Sequence, residues 1–291
     1  MNSQLGICIH GVGVEYIKEN NFKTIQLCHN YSGAGDITSL LKLGRSHPIK
    51  VSYHAPVFHQ ADPTLTYYLN SNFRLREATF EILEINLRMA KSLPTEYVVI
   101  HFTSNSMLEE NITDSEIRHL AKRSAKRINI LSDKYEVPIY LEYTFFNSRF
   151  DLPDDFIDVV KDNPNLGICL DLGHLHIVCK KYGLDYATEL EKLLPYTKVV
   201  YAWNTISEEC IEEHGYIPVH PSQKSEDGWI DIEKTINLAL SYNEDIYIIF
   251  EPNFEYNDKE YFEEGVKWVN DMVSNFKSSL SSESMLTSAE G

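Results

Sequence analysis

The chain has 291 residues, 43% hydrophobic and 24% charged, a composition that excludes a chain disordered throughout. Its 26 Lys and Arg face 43 Asp and Glu, a formal charge of −17, which argues against a surface built to wrap a polyanion. The five cysteines form no C-x-x-C pair and read as reduced thiols, and the opening MNSQLGICIHG has neither a basic start nor a long apolar stretch. No apolar run approaches the ~20 residues that cross a bilayer, so the expectation is a cytoplasmic protein without a membrane span.

Taken in chain order, short apolar runs alternate with helical patterns. Strands are predicted over 5–10, 24–29, 49–54, 97–101, 138–143, 166–171, 198–203 and 246–251. Most are apolar throughout, as strands covered on both faces must be. Short helices are predicted over 14–20 and 37–43. Longer ones cover 72–93, 113–135, 154–161, 185–194, 231–241 and 259–276. Thr113 and Glu116 have the spacing of a capping box. Eight strands alternating with helices imply right-handed parallel β/α units, which most simply close as a single-domain (β/α)8 TIM barrel over 1–277. An open doubly wound sheet is the alternative, but no G-x-G-x-x-G or Walker motif supports it. The small, Ser-rich end, 278–291, reads as a flexible tail.

Ionisable residues collect at the C-terminal ends of these strands: His10, His29, His54, His101, Glu142, Asp171 and Glu251, with His174 one turn after Asp171. That rim is where β/α barrels build active sites. A lone rim His, such as His10 or His29, is ordinarily a hydrogen-bonded wall residue. Five imidazoles and carboxylates on five different strands are instead the donor set of a divalent metal, with Zn, Mn, Fe or Co suiting mixed nitrogen and oxygen ligands.

The segments Ser52-Tyr53-His54-Ala55-Pro56, Val98-Val99-Ile100-His101, Leu141-Glu142-Tyr143-Thr144, Cys169-Leu170-Asp171-Leu172-Gly173-His174 and Phe250-Glu251-Pro252 resemble the xylose isomerase-like TIM barrel superfamily. This superfamily includes endonuclease IV (AP endonuclease family 2) and many sugar isomerases and epimerases. The endonuclease resemblance implies one metal site on His54, His101 and Glu142, a second on Glu142, Asp171 and Glu251, and His174 in a third. The epimerase resemblance implies a single Mn, Mg or Co held by two Glu, one Asp and one His. Glu142, Asp171 and Glu251 match three of these. The fourth, a His at the end of strand seven, is missing: aligning on Asn204 puts Ala202 there. The loop motif Asp-x-His is reduced to Pro218-Val219-His220.

These readings lead to a metal-dependent isomerase or epimerase acting on a small sugar-like substrate, with Glu142 and Glu251 moving a proton between adjacent carbons. The metal candidates are Glu142, Asp171, Glu251, His54, His101, His174 and His220, the last carried in on a long loop, 205–228, expected to fold over the barrel mouth. Arg149, Trp203, Asn204 and Lys224 are candidate substrate contacts, and Tyr143, Phe145, Trp229 and Phe58 could pack on a sugar face. The alternatives are an endonuclease IV-like phosphodiesterase and an iron-dependent oxidase. Nucleic acid is disfavoured as a partner because the loops 102–116 and 204–231 contain only Lys224 as a base against many acids. Assembly into a homo-oligomer is left open.

Overall fold

Eight parallel strands close into a barrel in the computed structural model, which describes residues 4–9, 14–20, 22–28, 49–57, 66–104, 112–252, 254 and 258–289, with backbone alone for Val14 and 281–289. The strands are β1 (Leu5–Cys8), β2 (Thr24–Leu27), β3 (Lys50–Ala55), β4 (Val98–His101), β5 (Ile139–Tyr143), β6 (Leu166–Asp171), β7 (Thr197–Asn204) and β8 (Tyr247–Phe250). Each pairs in parallel with its chain neighbour, and β8 returns to β1 to close the ring. The predicted TIM barrel is the observed architecture. His10, His29, Phe58 and the predicted helix 37–43 lie outside the described residues.

Alternation along the strands divides the core in two. Cys8, Cys28, Tyr97, Val99, Cys169, Val199, Tyr201, Trp203 and Ile249 pack together inside the barrel. Their sequence neighbours, such as Ile7, Val98, Leu170, Val200 and Ala202, pack outward under the helices. Inward and outward side chains must alternate because successive Cβ atoms point to opposite faces of a strand.

The helices are α1 (Val14–Glu19), α2 (Phe73–Lys91), α3 (Asp114–Tyr135), α4 (Pro153–Val160), α5 (Leu172–Tyr182), α6 (Tyr186–Leu193), α7 (Glu208–His214), α8 (Ile232–Tyr242) and α9 (Lys259–Ala289). Short polar side chains start most of the long ones. Asn72, Asp171, Asp185 and Asp231 each accept a backbone N–H of the first turn, and Thr113 with Glu116 forms the predicted capping box. Four of the six Lys and Arg of α3 are drawn into ion pairs along the wall: Arg118 with Asp155, Lys122 with Asp158, Arg127 with Glu77 and Lys134 with Glu84.

Three elements differ from the sequence expectation. Helix α5 follows β6 with no linker, because Asp171 ends the strand and caps the helix at once. The sequence expectation ends the strand at the same residue and assigns no element to 172–182. Helix α7 is a short insertion inside the long loop. Helix α9 continues to Ala289 rather than ending near 277, and its last stretch, Ser-rich as it is, contains no Gly or Pro to break it.

Candidate metal centre

At the C-terminal rim the inward positions carry His54 on β3, His101 on β4, Glu142 on β5, Asp171 on β6, Trp203 on β7 and, directly after β8, Glu251. The strand pleat places them there. Each lies an even number of residues beyond an inward-facing position on its own strand: His101 after Val99, Asp171 after Cys169, Trp203 after Tyr201 and Glu251 after Ile249. His54, His101, Glu142 and Asp171 are all buried, and burying such groups is costly unless they are paired or bind a cation.

The β3–β5 side is tightly gathered. His54 Nε2 lies 2.9 Å from Glu142 Oε2, and His101 Nε2 lies 3.0 Å from the same oxygen. The two imidazoles meet edge to face at 4.7 Å. Beyond these ion pairs, His54 Nε2 and Glu142 Oε2 are buried and meet no further hydrogen-bond partner among the described residues. His54, His101 and Glu142 each offer a ligand atom within 4.8 Å of the others. Two nitrogens and one oxygen suit Zn, Mn, Fe or Co. The residues present thus fit a divalent metal.

The electrostatics point the same way. Burial by itself pushes the Glu142 carboxyl up, but the charges of His101 and His54 outweigh it and hold the group well below the usual carboxylate range. Burial pushes Asp171 and Glu251 up strongly, and the Glu142 charge raises both further. The Asp171 charge adds to the rise at Glu251, whose Oε2 is buried and has no hydrogen-bond partner among the described residues. Three carboxylates in so small and dry a space cannot all stay ionised without a cation.

The β6–β8 side is built differently. Asp171 Oδ1 accepts the His174 backbone N–H at 2.8 Å, and Oδ2 accepts the Trp203 indole N–H at 2.7 Å. His174 is fully buried, with Nδ1 facing the Tyr143 carbonyl and Nε2 facing the Tyr216 hydroxyl, both at 3.3 Å. The carbonyl can only accept, so the proton sits on Nδ1 and Nε2 accepts from Tyr216. Burial lowers the His174 pKa to about 4, keeping the ring neutral. Phe145, Phe146 and Trp203 pack their rings against it. Glu142, Asp171 and His174 also gather ligand atoms within 4.8 Å, but Asp171 and His174 already have hydrogen-bond partners.

Four sequence candidates lie elsewhere or act differently. Both ring nitrogens of His220 are engaged, Nδ1 with Ser222 at 2.7 Å and Nε2 with Glu264 at 2.9 Å, and the ring stacks on Tyr261 of α9. The reason is a close approach: Gly265 lets α9 come against the loop backbone so tightly that a Cβ there would sit 1.8 Å from the Val219 oxygen. The loop therefore delivers Tyr216, not His220, to the cluster. Residues Ile217–Pro218 pair antiparallel with Asn204 and Trp203, which lays Tyr216 on the indole. Asn204 is buried and braces the same loop through Gln223 and Ile230. Arg149 pairs with Asp114 and the Ile112 carbonyl at the start of α3, and exposed Lys224 bonds the Pro221 carbonyl. Ala202 is not the inward residue of β7 either: it packs in the outer layer, and Trp203 takes the inner place. Tyr216 and Phe146 escaped the sequence reading. The signal for Tyr216 was its place just before Ile217-Pro218, where the chain turns back along β7.

Residues 14–272 match the model of the xylose isomerase-like TIM barrel family. The chain belongs to that family. Its backbone is similar to the crystal structure of a D-tagatose 3-epimerase-like protein, with 20% identity, 96% of this chain and 99% of that chain covered, and a TM-score of 0.67. It is also similar to the IolI protein with a bound zinc atom, at 15% identity, coverage of 94% and 99%, and a TM-score of 0.64. A third similar structure is a xylose isomerase-like TIM barrel protein from Mycobacterium smegmatis in complex with magnesium, at 15% identity, coverage of 90% and 87%, and a TM-score of 0.60. No curated protein matches the chain by sequence. Among the described residues, no helix of this family member is long and apolar enough to cross a membrane.

Proposed function

We propose that the protein is a metal-dependent isomerase or epimerase that moves a proton between adjacent carbons of a small, polyhydroxylated, sugar-like substrate. The observation that carries this reading is the buried ligand set in the barrel mouth: His54, His101 and Glu142 offer ligand atoms within 4.8 Å of one another, and Glu251 Oε2 is buried with no hydrogen-bond partner among the described residues. His54, His101 and Glu142 would hold the metal. When bound, a divalent ion there supplies Lewis-acid polarisation of a carbonyl and its neighbouring hydroxyl. Glu251 stands outside both ligand groups and has the freedom to take a proton from one carbon and return it to another. Its raised basicity, set first by burial and then by the neighbouring carboxylates, suits a proton-transfer group. Asp171 and His174 keep the opposite wall rigid, and the rings of Phe145 and Phe146 border the same space. The similar backbones of the epimerase-like protein and of the zinc- and magnesium-bound barrels support the same reading.

The test is proton exchange. A panel of ketoses and aldoses incubated in D2O with metal-loaded protein should take up deuterium at one carbon and yield the epimer or isomer. Glu251→Gln should stop the exchange while metal content stays at the wild-type level. Absence of exchange across the panel, with metal bound, counts against the reading. Two imidazoles and one carboxylate are also the set that non-haem iron oxygenases use, which favours an iron-dependent oxidase as the second reading. Oxygen consumption by the Fe(II)-loaded protein with substrate would select it.

A further inference from the structure

Outside the barrel mouth, α5, α6, α8 and the loop before α8 border a second cavity of about 240 Å³ that includes none of the rim residues. That is well above the ~15 Å³ a single water needs. Its walls are aromatic: Trp229, Tyr186 and His176. The His176 and Tyr186 rings stand 5.9 Å apart at 72°, so they meet as a corner rather than a stack, and His176 Nε2 is held 3.1 Å from the Gly228 carbonyl. Trp229 is half-buried beside them, over a floor that contains the buried Leu190 and Ile230. Two exposed carboxylates, Asp185 and Asp231, stand at the cavity edge. They are the N-caps of α6 and α8, and each commits one oxygen to its cap: Asp185 Oδ2 accepts the Thr188 N–H at 2.8 Å, and Asp231 Oδ1 accepts the Lys234 N–H at 3.0 Å. The second oxygen of each lies outside its cap.

We propose that this cavity is a binding site for a small organic cation, a methylated ammonium, seated against Trp229 and Tyr186 with Asp185 and Asp231 facing its charge. Aromatic faces carry the negative end of a quadrupole, and Trp attracts a cation best. The two carboxylates add direct Coulomb attraction. A methylated ammonium also has an apolar skin, which matches the Leu190 and Ile230 floor where a strongly hydrated ion would not. An anion would meet both carboxylates, and a neutral molecule would gain nothing from their charge. Lys234 is the one ammonium in the lining, and its charge reaches Asp185. It is exposed on a flexible stem, so it can swing into solvent as the ligand enters. The site is separate from the barrel mouth and independent of the metal reading.

The experiment is a titration of the protein with choline, and with its uncharged isostere in which carbon replaces the nitrogen, followed by ligand-observed NMR. Choline should bind, and the isostere should bind about tenfold more weakly. Trp229→Leu should weaken choline by about tenfold. Asp185→Asn and Asp231→Asn remove a charge yet keep the helix cap, because Asn caps as well as Asp, and each should weaken choline by about threefold or more. Lys234→Ala should hold or tighten it. Glu142→Ala should leave choline affinity unchanged, since the carboxylates of the barrel mouth are the rival place for a cation. Equal affinity for choline and its isostere would reduce the site to an apolar hollow and overturn the inference. So would weaker binding in Lys234→Ala, loss of binding in Glu142→Ala, full binding in Trp229→Leu and both Asn variants, or no choline binding below ~10 mM. The Asn variants decide the matter even if Trp229→Leu does not fold.

Discussion

The two halves of the barrel rim use the same residue types to opposite ends. On the β3–β5 side, the ring nitrogens of His54 and His101 both lie within about 3 Å of one Glu142 oxygen, and His54 Nε2 and Glu142 Oε2 meet no further hydrogen-bond partner among the described residues. On the β6–β8 side, Asp171 and His174 are just as buried, but backbone, indole and phenol groups satisfy them. The difference teaches that residue type nominates a ligand, while the hydrogen-bond balance of each atom decides between a binding site and a wall. Buried polar groups are normally satisfied by their surroundings, so buried imidazole and carboxylate atoms that meet only one another mark the side where a cation can enter.

The comparison can be broken most forcefully on the first side. Glu142→Ala removes the oxygen shared by both imidazoles. It should abolish metal binding and lower turnover by on the order of a thousandfold or more, the upper part of what one acid–base or ligand group contributes. Elemental analysis and the deuterium-exchange rate check it. Retained metal and exchange would dissolve the distinction between the two sides.

On the second side the expected losses are in stability. Trp203→Phe keeps an aromatic ring against Tyr216 but leaves Asp171 Oδ2 without its donor, and should cost about 2 kcal/mol in denaturant unfolding. Gly173→Ala forces a methyl group into the indole and should cost ~1–3 kcal/mol, since a ring stacked on Tyr216 cannot move aside freely. An unaltered midpoint in both variants would show that this wall is less rigid than its contacts imply.

A smaller effect concerns pH. His176, outside the metal cluster, bonds the Gly228 carbonyl at 3.1 Å, and burial lowers its pKa from 6.5 to about 4. A histidine depressed in the folded state leaves the unfolded chain binding more protons at low pH. Its contribution is therefore fully present above pH 6.5 and is lost as the pH falls towards 4. His176→Asn should flatten that part of the stability profile, and an unchanged slope would remove this assignment.

The smallest effect expected is on DNA. With a formal charge of −17 and four of the six α3 bases paired to acids along the wall, an abasic-site duplex should bind weakly and without strand cleavage at physiological salt. Tight, salt-dependent binding with cleavage blocked by Glu142→Ala would restore the phosphodiesterase reading.

What the sequence determined by itself was local or periodic. The apolar runs marked the strands because strands buried on both faces must be apolar. Asn72, Thr113, Asp185 and Asp231 marked helix starts because their side chains cap the residues just ahead of them. His54, His101, Glu142, Asp171 and Glu251 were legible as a set because each ends a strand, and parallel closure brings strand ends to one rim. The tertiary structure decided what depends on direction and on distant partners. A one-residue change of register exchanges the faces of a strand, so only the barrel could tell that Trp203, not Ala202, looks inward. Only the contact between α9 and the loop at Gly265 could turn His220 to Glu264 and leave Tyr216 over the indole. The hydrogen bonds that separate the two sides of the rim join residues from different strands and loops. Spacing along the chain carries no record of them, because they exist only once the ring has closed.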